Sequence, residues 1–239
     1  MKIGVEELGR LTGELAHEIK NPLSSIKINL KLVREELEAA KSAQAGQAGR
    51  GQSGLGFTRA LRKIAVIEKE TVRLEQILEG FLRYIDRTEL QLVDVDISLL
   101  MSDMIDFYSP LAGSHSIIIR QQLYDKSLIC KADEGMLKQV ILNLFINAQQ
   151  AMSDGGELLI RTAREKREAV IQISDTGSGI APDKLPKIFD VYYSSRPQGS
   201  GLGLPTARKI VEAHKGRISV DSEPGKGTSF TIKLPIRKP

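Results

Sequence analysis

From Val5 to Ala40 apolar residues recur at steps of three and four: Leu8, Leu11, Leu15, Ile19, Leu23, Ile26, Leu30, Val33 and Leu37, with charged residues between them. That period predicts one long amphipathic helix. A second stripe, Leu61, Ile64, Ile67, Leu74, Leu78, Phe81 and Ile85, predicts another from about Thr58 to Asp86. The stretch between them, Lys41 to Gly56, is rich in Gly, Gln and Ala. With almost nothing to bury, it is expected to be a flexible loop. Two such helices make an antiparallel hairpin. Each stripe is wider than one partner can cover, so the hairpin is expected to dimerise into a four-helix bundle.

After Arg87 the pattern changes. Strand-like runs lie at Ser116–Leu123, Ser127–Cys130, Glu157–Ala163, Ala169–Ser174, Arg217–Ser222 and Ser229–Leu234. Helical patterns fall between them at Ile97–Leu111, Glu134–Met152 and Gly203–His214. The turns "SDGGE" and "EPGKG" suit hairpins. This order predicts an α+β sandwich, a mixed sheet with helices on one face. The boundary is expected at residues 87–92, giving domains 1–88 and 89–239.

Composition adds exclusions. Lys and Arg (34) and Asp and Glu (30) are interspersed, and the net charge of +4 argues against a nucleic-acid partner. A single cysteine, Cys130, rules out an internal disulfide framework and fits a reducing compartment. No run reaches the roughly 20 apolar residues that span a bilayer, and no signal-peptide pattern opens the chain. The expectation is a cytoplasmic chain, or the soluble part of a longer one, without direct membrane insertion.

The candidate chemistry starts at "AHEIKNP", Ala16 to Pro22. At about 100° per residue, His17 lies about 175° from the centre of the apolar arc, on the solvent face. That removes the core reading. Asn21, not a second histidine, stands one turn on, which removes the paired-histidine zinc reading. A lone surface histidine still fits. Glu18, however, can accept a hydrogen bond from one ring nitrogen and leave the other free to attack an electrophile. Pro22 is expected to bend the helix, and Asn21 could orient a water or a phosphoryl oxygen.

A phosphoryl acceptor needs a donor, and three segments supply one. In "DTGSGI" Asp175 follows a strand, where a carboxylate can accept the exocyclic amine of adenine. Gly177 and Gly179 there let backbone approach a base. In "GSGLGLP", Gly199 to Pro205, glycines lead into a helix whose free N–H groups suit phosphate. Within "QVILNLFINAQQAM", Asn143 and Asn147 sit one turn apart on an otherwise apolar helix. Buried amides need partners, and magnesium with bound phosphates would provide them. Each segment alone also has a purely structural reading.

Together, in this order, the segments resemble the catalytic core of sensor histidine protein kinases of two-component systems, nearest its nitrogen-regulation branch. "AHEIKNPLSSIK" is similar to the phosphoacceptor box, "NLFINA" to the asparagine box, "DTGSGI" and "GSGLGL" to the glycine boxes, and "KIFDVYYSS" to the phenylalanine box. The resemblance implies an ATP-binding domain of the Bergerat type behind a dimeric helical hairpin. It implies that His17 accepts the γ-phosphoryl of ATP, that Glu18 is the general base, and that Asn21 serves dephosphorylation of the partner. Asn147 is then the magnesium ligand, with Asn143 also facing the phosphates. Asp175 reads adenine with support from Thr228, in a base pocket that Gly177, Gly179 and Ile180 line. Gly199, Gly201, Leu202, Gly203 and Leu204 form the lid. The implied cofactors are ATP and Mg2+, and the implied partners are a second copy of the chain and the receiver domain of a response regulator.

Three departures stand out. Gln150 occupies a place that is basic in many members, so Arg196 is the candidate for phosphate neutralisation. "VYYSSR" replaces a Phe-Phe-Thr-Thr-Lys run, and "AHKG" replaces "AHGG", with Lys215 expected to be tolerated. Two alternatives compete. One is a non-kinase ATPase of the gyrase, Hsp90 and mismatch-repair superfamily, in which Asn143 would have to be a glutamate. The other is a degenerate dimerisation scaffold, which predicts decay in the glycine boxes.

Overall fold

The computed structural model describes residues 5–45, 50–85, 90–194 and 201–237. The chain divides into two compact units, residues 2–86 with 194–202, and residues 87–193 with 203–239. Each is described by itself.

The first unit is a pair of long helices, α1 (Val5–Ala45) and α2 (Arg50–Ile85). Leu11, Ala60, Ile77 and Phe81 are buried in this unit. Leu23, Ile28, Leu30 and Leu37 on α1, and Leu61, Ile64, Val72, Leu78 and Leu82 on α2, stay exposed. The stripes are therefore wider than their mutual contact.

One expectation is corrected here. The segment 41–56 is not a loop where it is described, because α1 runs on to Ala45 and α2 starts at Arg50. Ala, Gln, Lys and Arg are good helix formers, and no proline interrupts them. Pro22, expected to bend α1, lies within it. It sits buried inside a helix that continues on both sides. Lacking an N–H, it leaves the Glu18 carbonyl without its usual donor.

The second unit is built on a five-stranded sheet in the order β2-β4-β5-β7-β6. Its strands are β2 (Ile117–Gln122), β4 (Gly156–Glu165), β5 (Glu168–Asp175), β6 (Arg217–Glu223) and β7 (Gly227–Pro235). The β2–β4 pair is parallel and the others are antiparallel, so the sheet is mixed. A small antiparallel pair, β1 (Val93–Asp96) with β3 (Ile129–Ala132), stands apart from it. Burial alternates along β7, with Thr228, Phe230, Ile232 and Leu234 inward. The same face of β5 carries Ala169, Ile171, Ile173 and Asp175. Against this face pack α3 (Ile97–Ser114), α4 (Glu134–Ala151) and α5 (Gly203–Ala213).

Asp133 opens α4. Its Oδ1 accepts from the Met136 N–H at 3.0 Å, an N-cap, and its Oδ2 accepts from the Gln91 N–H at 2.9 Å. The Asp133 N–H in turn donates to His214 Nε2 at 2.9 Å. His214 therefore carries its hydrogen on Nδ1, which donates to the Ile210 carbonyl at 2.8 Å. One buried neutral imidazole so ties the end of α5 to the start of α4. Lys215, next in sequence, takes φ +59°, a left-handed conformation that glycine adopts at lower cost. The helix ends there nonetheless.

Candidate functional site

Asp175 closes β5 and is buried. Its Oδ1 accepts from the Gly177 N–H at 2.9 Å and from the Thr228 N–H at 3.3 Å. Thr228 is its register partner on β7. The turn after β5 is thus folded back onto its own carboxylate, an Asx arrangement supported by the neighbouring strand.

That turn is pinned on two sides. The Ser178 N–H donates to the Ala151 carbonyl at the end of α4, 3.1 Å away. A Cβ on Gly177 would lie 2.6 Å from the same oxygen. On the other side the Ile180 N–H donates to Ser222 Oγ at 2.8 Å, and Ser222 Oγ donates to the Gly227 carbonyl at 2.8 Å. Gly179, at φ +69°, has its would-be Cβ 2.2 Å from the Glu223 carbonyl. The backbone passes too close there for any side chain.

Ser222 also contacts Thr228 Oγ1 at 3.0 Å, so it links the turn, β6 and β7. The residue escaped sequence reasoning. Its only signal was a polar residue closing a strand before the tight turn "EPGKG".

Along α4 stand Asn143 and Asn147, one helical turn apart. Leu137, Val140, Ile141, Leu144, Phe145 and Ala148 occupy the buried face of that helix. The two amides lie on its flank and are half-buried, not buried. The sequence expectation is corrected on this point: the amides border the core instead of lying inside it. Asn143 Nδ2 donates to the Gly203 carbonyl at 3.3 Å, in the first turn of α5. Gly201, just before it, has φ +64°. Leu204 is half-buried. Arg196 and Gly199 lie outside the described residues.

The residues of this unit fit a nucleotide with its ion. Gly177 and Gly179 bring backbone against backbone around the buried carboxylate, with Ile180 half-buried beside them. Asn143 and Asn147 offer neutral amide oxygens. Among the described residues no group of three or more His, Cys, Asp or Glu could hold a metal. An ion at Asn147 would therefore draw most of its ligands from phosphate and water, which suits magnesium.

In the helical unit His17 is exposed on α1, as its phase requires. Asn21 is exposed one turn on. Glu18 is half-buried and lies 4.0 Å from Arg73 of α2. Its described partner is thus on the facing helix. Leu202, expected in the lid, is fully buried and groups with this helical unit, not with Gly203.

Residues 7–89 match the family described as His Kinase A (phospho-acceptor) domain. Residues 132–238 match the histidine kinase-, DNA gyrase B-, and HSP90-like ATPase family. The chain is 35% identical over 229 residues to the sensor histidine kinase ZraS of Escherichia coli K12, covering 96% of this chain and 46% of that protein. It is 31% identical over 232 residues to sporulation kinase E of Bacillus subtilis 168, covering 97% and 29% respectively. The chain thus spans less than half the length of these relatives. Among solved structures, histidine kinase ThkA in complex with response regulator protein TrrA superposes with a TM-score of 0.74 at 22% identity, covering 98% of this chain and 63% of that one. Full-length ShkA in complex with AMPPNP gives 0.64 at 24% identity, covering 95% and 46%. At these identities the structural likeness speaks for the fold. Among the described residues no helix is long and apolar enough to cross a membrane.

Proposed function

Because the chain belongs to the sensor histidine kinases and carries the two domains of their catalytic core, we propose that it is an ATP-dependent histidine autokinase. It phosphorylates His17 and passes the group to an aspartate of a response regulator. Residues 1–88 serve as dimerisation and phosphoacceptor domain and residues 89–239 as ATP-binding domain. The observation that supports this most is the buried Asp175 carboxylate, held by two backbone N–H groups, in a glycine turn that admits no side chain.

In this reading the second Asp175 oxygen accepts the amine of adenine, and Gly177, Gly179, Ile180 and Thr228 shape the base pocket. Asn143 and Asn147 face the phosphates, and Asn147 holds magnesium. Gly199, Gly201, Leu202, Gly203 and Leu204, with Arg196, close over the triphosphate. Magnesium, when bound, offsets phosphate charge. One imidazole nitrogen of His17 attacks the γ-phosphorus, a P–N bond forms, and the bond to the ADP oxygen breaks. Glu18 takes the proton from the other ring nitrogen. A carboxylate of the receiver domain then attacks phosphohistidine, and imidazole leaves. Asn21, exposed one turn from His17, orients the water that later releases phosphate from that partner.

The exposed apolar residues of α1 and α2 support a homodimer, in which two hairpins complete a four-helix bundle. Use of ATP and a lone thiol at Cys130 support a cytoplasmic location. The test is incubation with γ-labelled ATP and magnesium. Acid-labile, base-stable label that disappears in His17→Gln is the expected result. Released phosphate without labelled protein would instead indicate an ATPase.

A further inference from the structure

Arg73 of α2 reaches the Glu18 carboxylate of α1 at 4.0 Å and Glu70, one turn back on its own helix, at 3.9 Å. The side chains of Arg73, Glu18 and Glu70 are 26%, 29% and 19% exposed, so the group stands neither in open water nor sealed from it. The Arg73 Nε is buried and makes no hydrogen bond among the described residues. A guanidinium part-way out of water, with an N–H unmet, depends on neighbouring negative charge to stay there. Attraction across such a partly dry gap is stronger than between surface charges at the same separation.

We propose that Arg73 is a positioning residue for Glu18 and, through it, for phosphorylation of His17. This rests on the reading of Glu18 as general base. Glu18 follows His17 directly, so the two side chains leave the helix about 100° apart. A glutamate in that place reaches the neighbouring imidazole from few of its rotamers. Left free, it spreads over the rest and loses side-chain entropy each time it engages the ring. Arg73 restricts that spread from the opposite helix. One guanidinium nitrogen lies 4.0 Å from one Glu18 oxygen, and in this proposal the carboxylate still takes the His17 ring proton. As the P–N bond forms and ADP leaves, that proton passes from the ring to the Glu18 carboxylate, which becomes a neutral carboxyl while Arg73 keeps its charge. A rigid, planar guanidinium fork suits this better than a flexible ammonium.

A double-mutant cycle tests the idea on the whole chain, with the rate of His17 labelling as readout. Arg73→Gln is expected to lower the rate about tenfold, part of what a general base supplies. The KM for ATP should change by less than about twofold, because Arg73 does not act on the nucleotide. In a Glu18→Gln background the same substitution should add less than about twofold, since its target is gone. Arg73→Lys should recover part of the loss. In Arg73→Gln the acid limb of the pH–rate profile should also move. Circular dichroism and the oligomer mass establish that each variant keeps the hairpin. If Arg73→Gln loses it, Arg73→Lys is read in the same cycle. Equal slowing in both backgrounds, or labelling at the unaltered rate, overturns the proposal. Absence of label in the unaltered chain would instead bring down the kinase reading beneath it.

Discussion

The α-carbon of Gly227 approaches the backbone of Asp175 so closely that a Cβ there would sit 1.8 Å from the Asp175 carbonyl oxygen. Its φ of +92° is strained for any other residue as well. Gly227→Ala must therefore push β7 away from the end of β5, where the Asp175 carboxylate is held. Strain and overpacking together amount to roughly 3 kcal/mol. The expected outcome is a lower urea midpoint for unfolding and lost binding of a fluorescent ATP analogue. An unchanged midpoint would show that the turn has more room than its geometry gives it.

Asp175→Asn separates the two duties of that side chain. The amide oxygen can still accept from the Gly177 and Thr228 N–H groups, so the turn should hold. The other atom becomes an NH2, which in the proposed base pocket would face the adenine amine donor to donor. Loss of one charged hydrogen bond, about 1.5–3 kcal/mol, predicts a tenfold or greater rise in the Kd for ATP. Calorimetric titration measures it, with the melting temperature shifting by a few degrees at most.

Asp133 couples acid pH to the stability of α4. Burial alone would raise its carboxyl, but hydrogen bonds from the Met136, Gln91 and Gly135 N–H groups bring it below the usual aspartate value. A carboxyl depressed in the folded state adds stability that is complete above the unfolded value, near pH 4, and is lost as pH falls through the folded one. Asp133→Ala removes the cap, at about 1 kcal/mol. It should also flatten the slope of urea stability against pH below about 4. A variant whose slope matches the parent would place the acid sensitivity elsewhere.

Cys130 is expected to be inert. Burial pushes its thiol up to about 12, with the Asp96 carboxylate adding to the shift. Almost no thiolate then exists at neutral pH, and thiolate is the reactive form. Reaction with a disulfide reagent at pH 8 should be slow in the folded chain and fast in urea. Equal rates would contradict the burial.

Much of this was legible in sequence because it is periodic. Six of the seven strands and all three α-helices of the second unit were found, with ends displaced by a few residues at most. The strand Val93–Asp96 was not, since four residues alternating Val and Asp carry too short a pattern. The run from Lys41 to Gly56 misled because low hydrophobicity reads as loop, although alanine and glutamine extend a helix readily. The turn "DTGSGI" announced a close backbone approach, while Ser222 and Arg73 did not announce their roles. Their partners, Ile180 and Glu18, lie 42 and 55 residues away, and only the fold brings them near. The domain boundary expected at 87–92 lies partly outside the described residues, but its Gln91 end is fastened to Asp133.

A helix of 41 residues is a ladder of hydrogen bonds, and Pro22 removes one rung, the one that would end on the Glu18 carbonyl. A twist applied at the Val5 end travels along intact rungs with little loss and relaxes first where the ladder is weakest. That place is the turn from Glu18 to Pro22, immediately after His17. The proline thus makes α1 a shaft with its compliance concentrated at one joint. Winding and unwinding at that joint would reorient Glu18 and His17 together while the rest of the rod stays stiff.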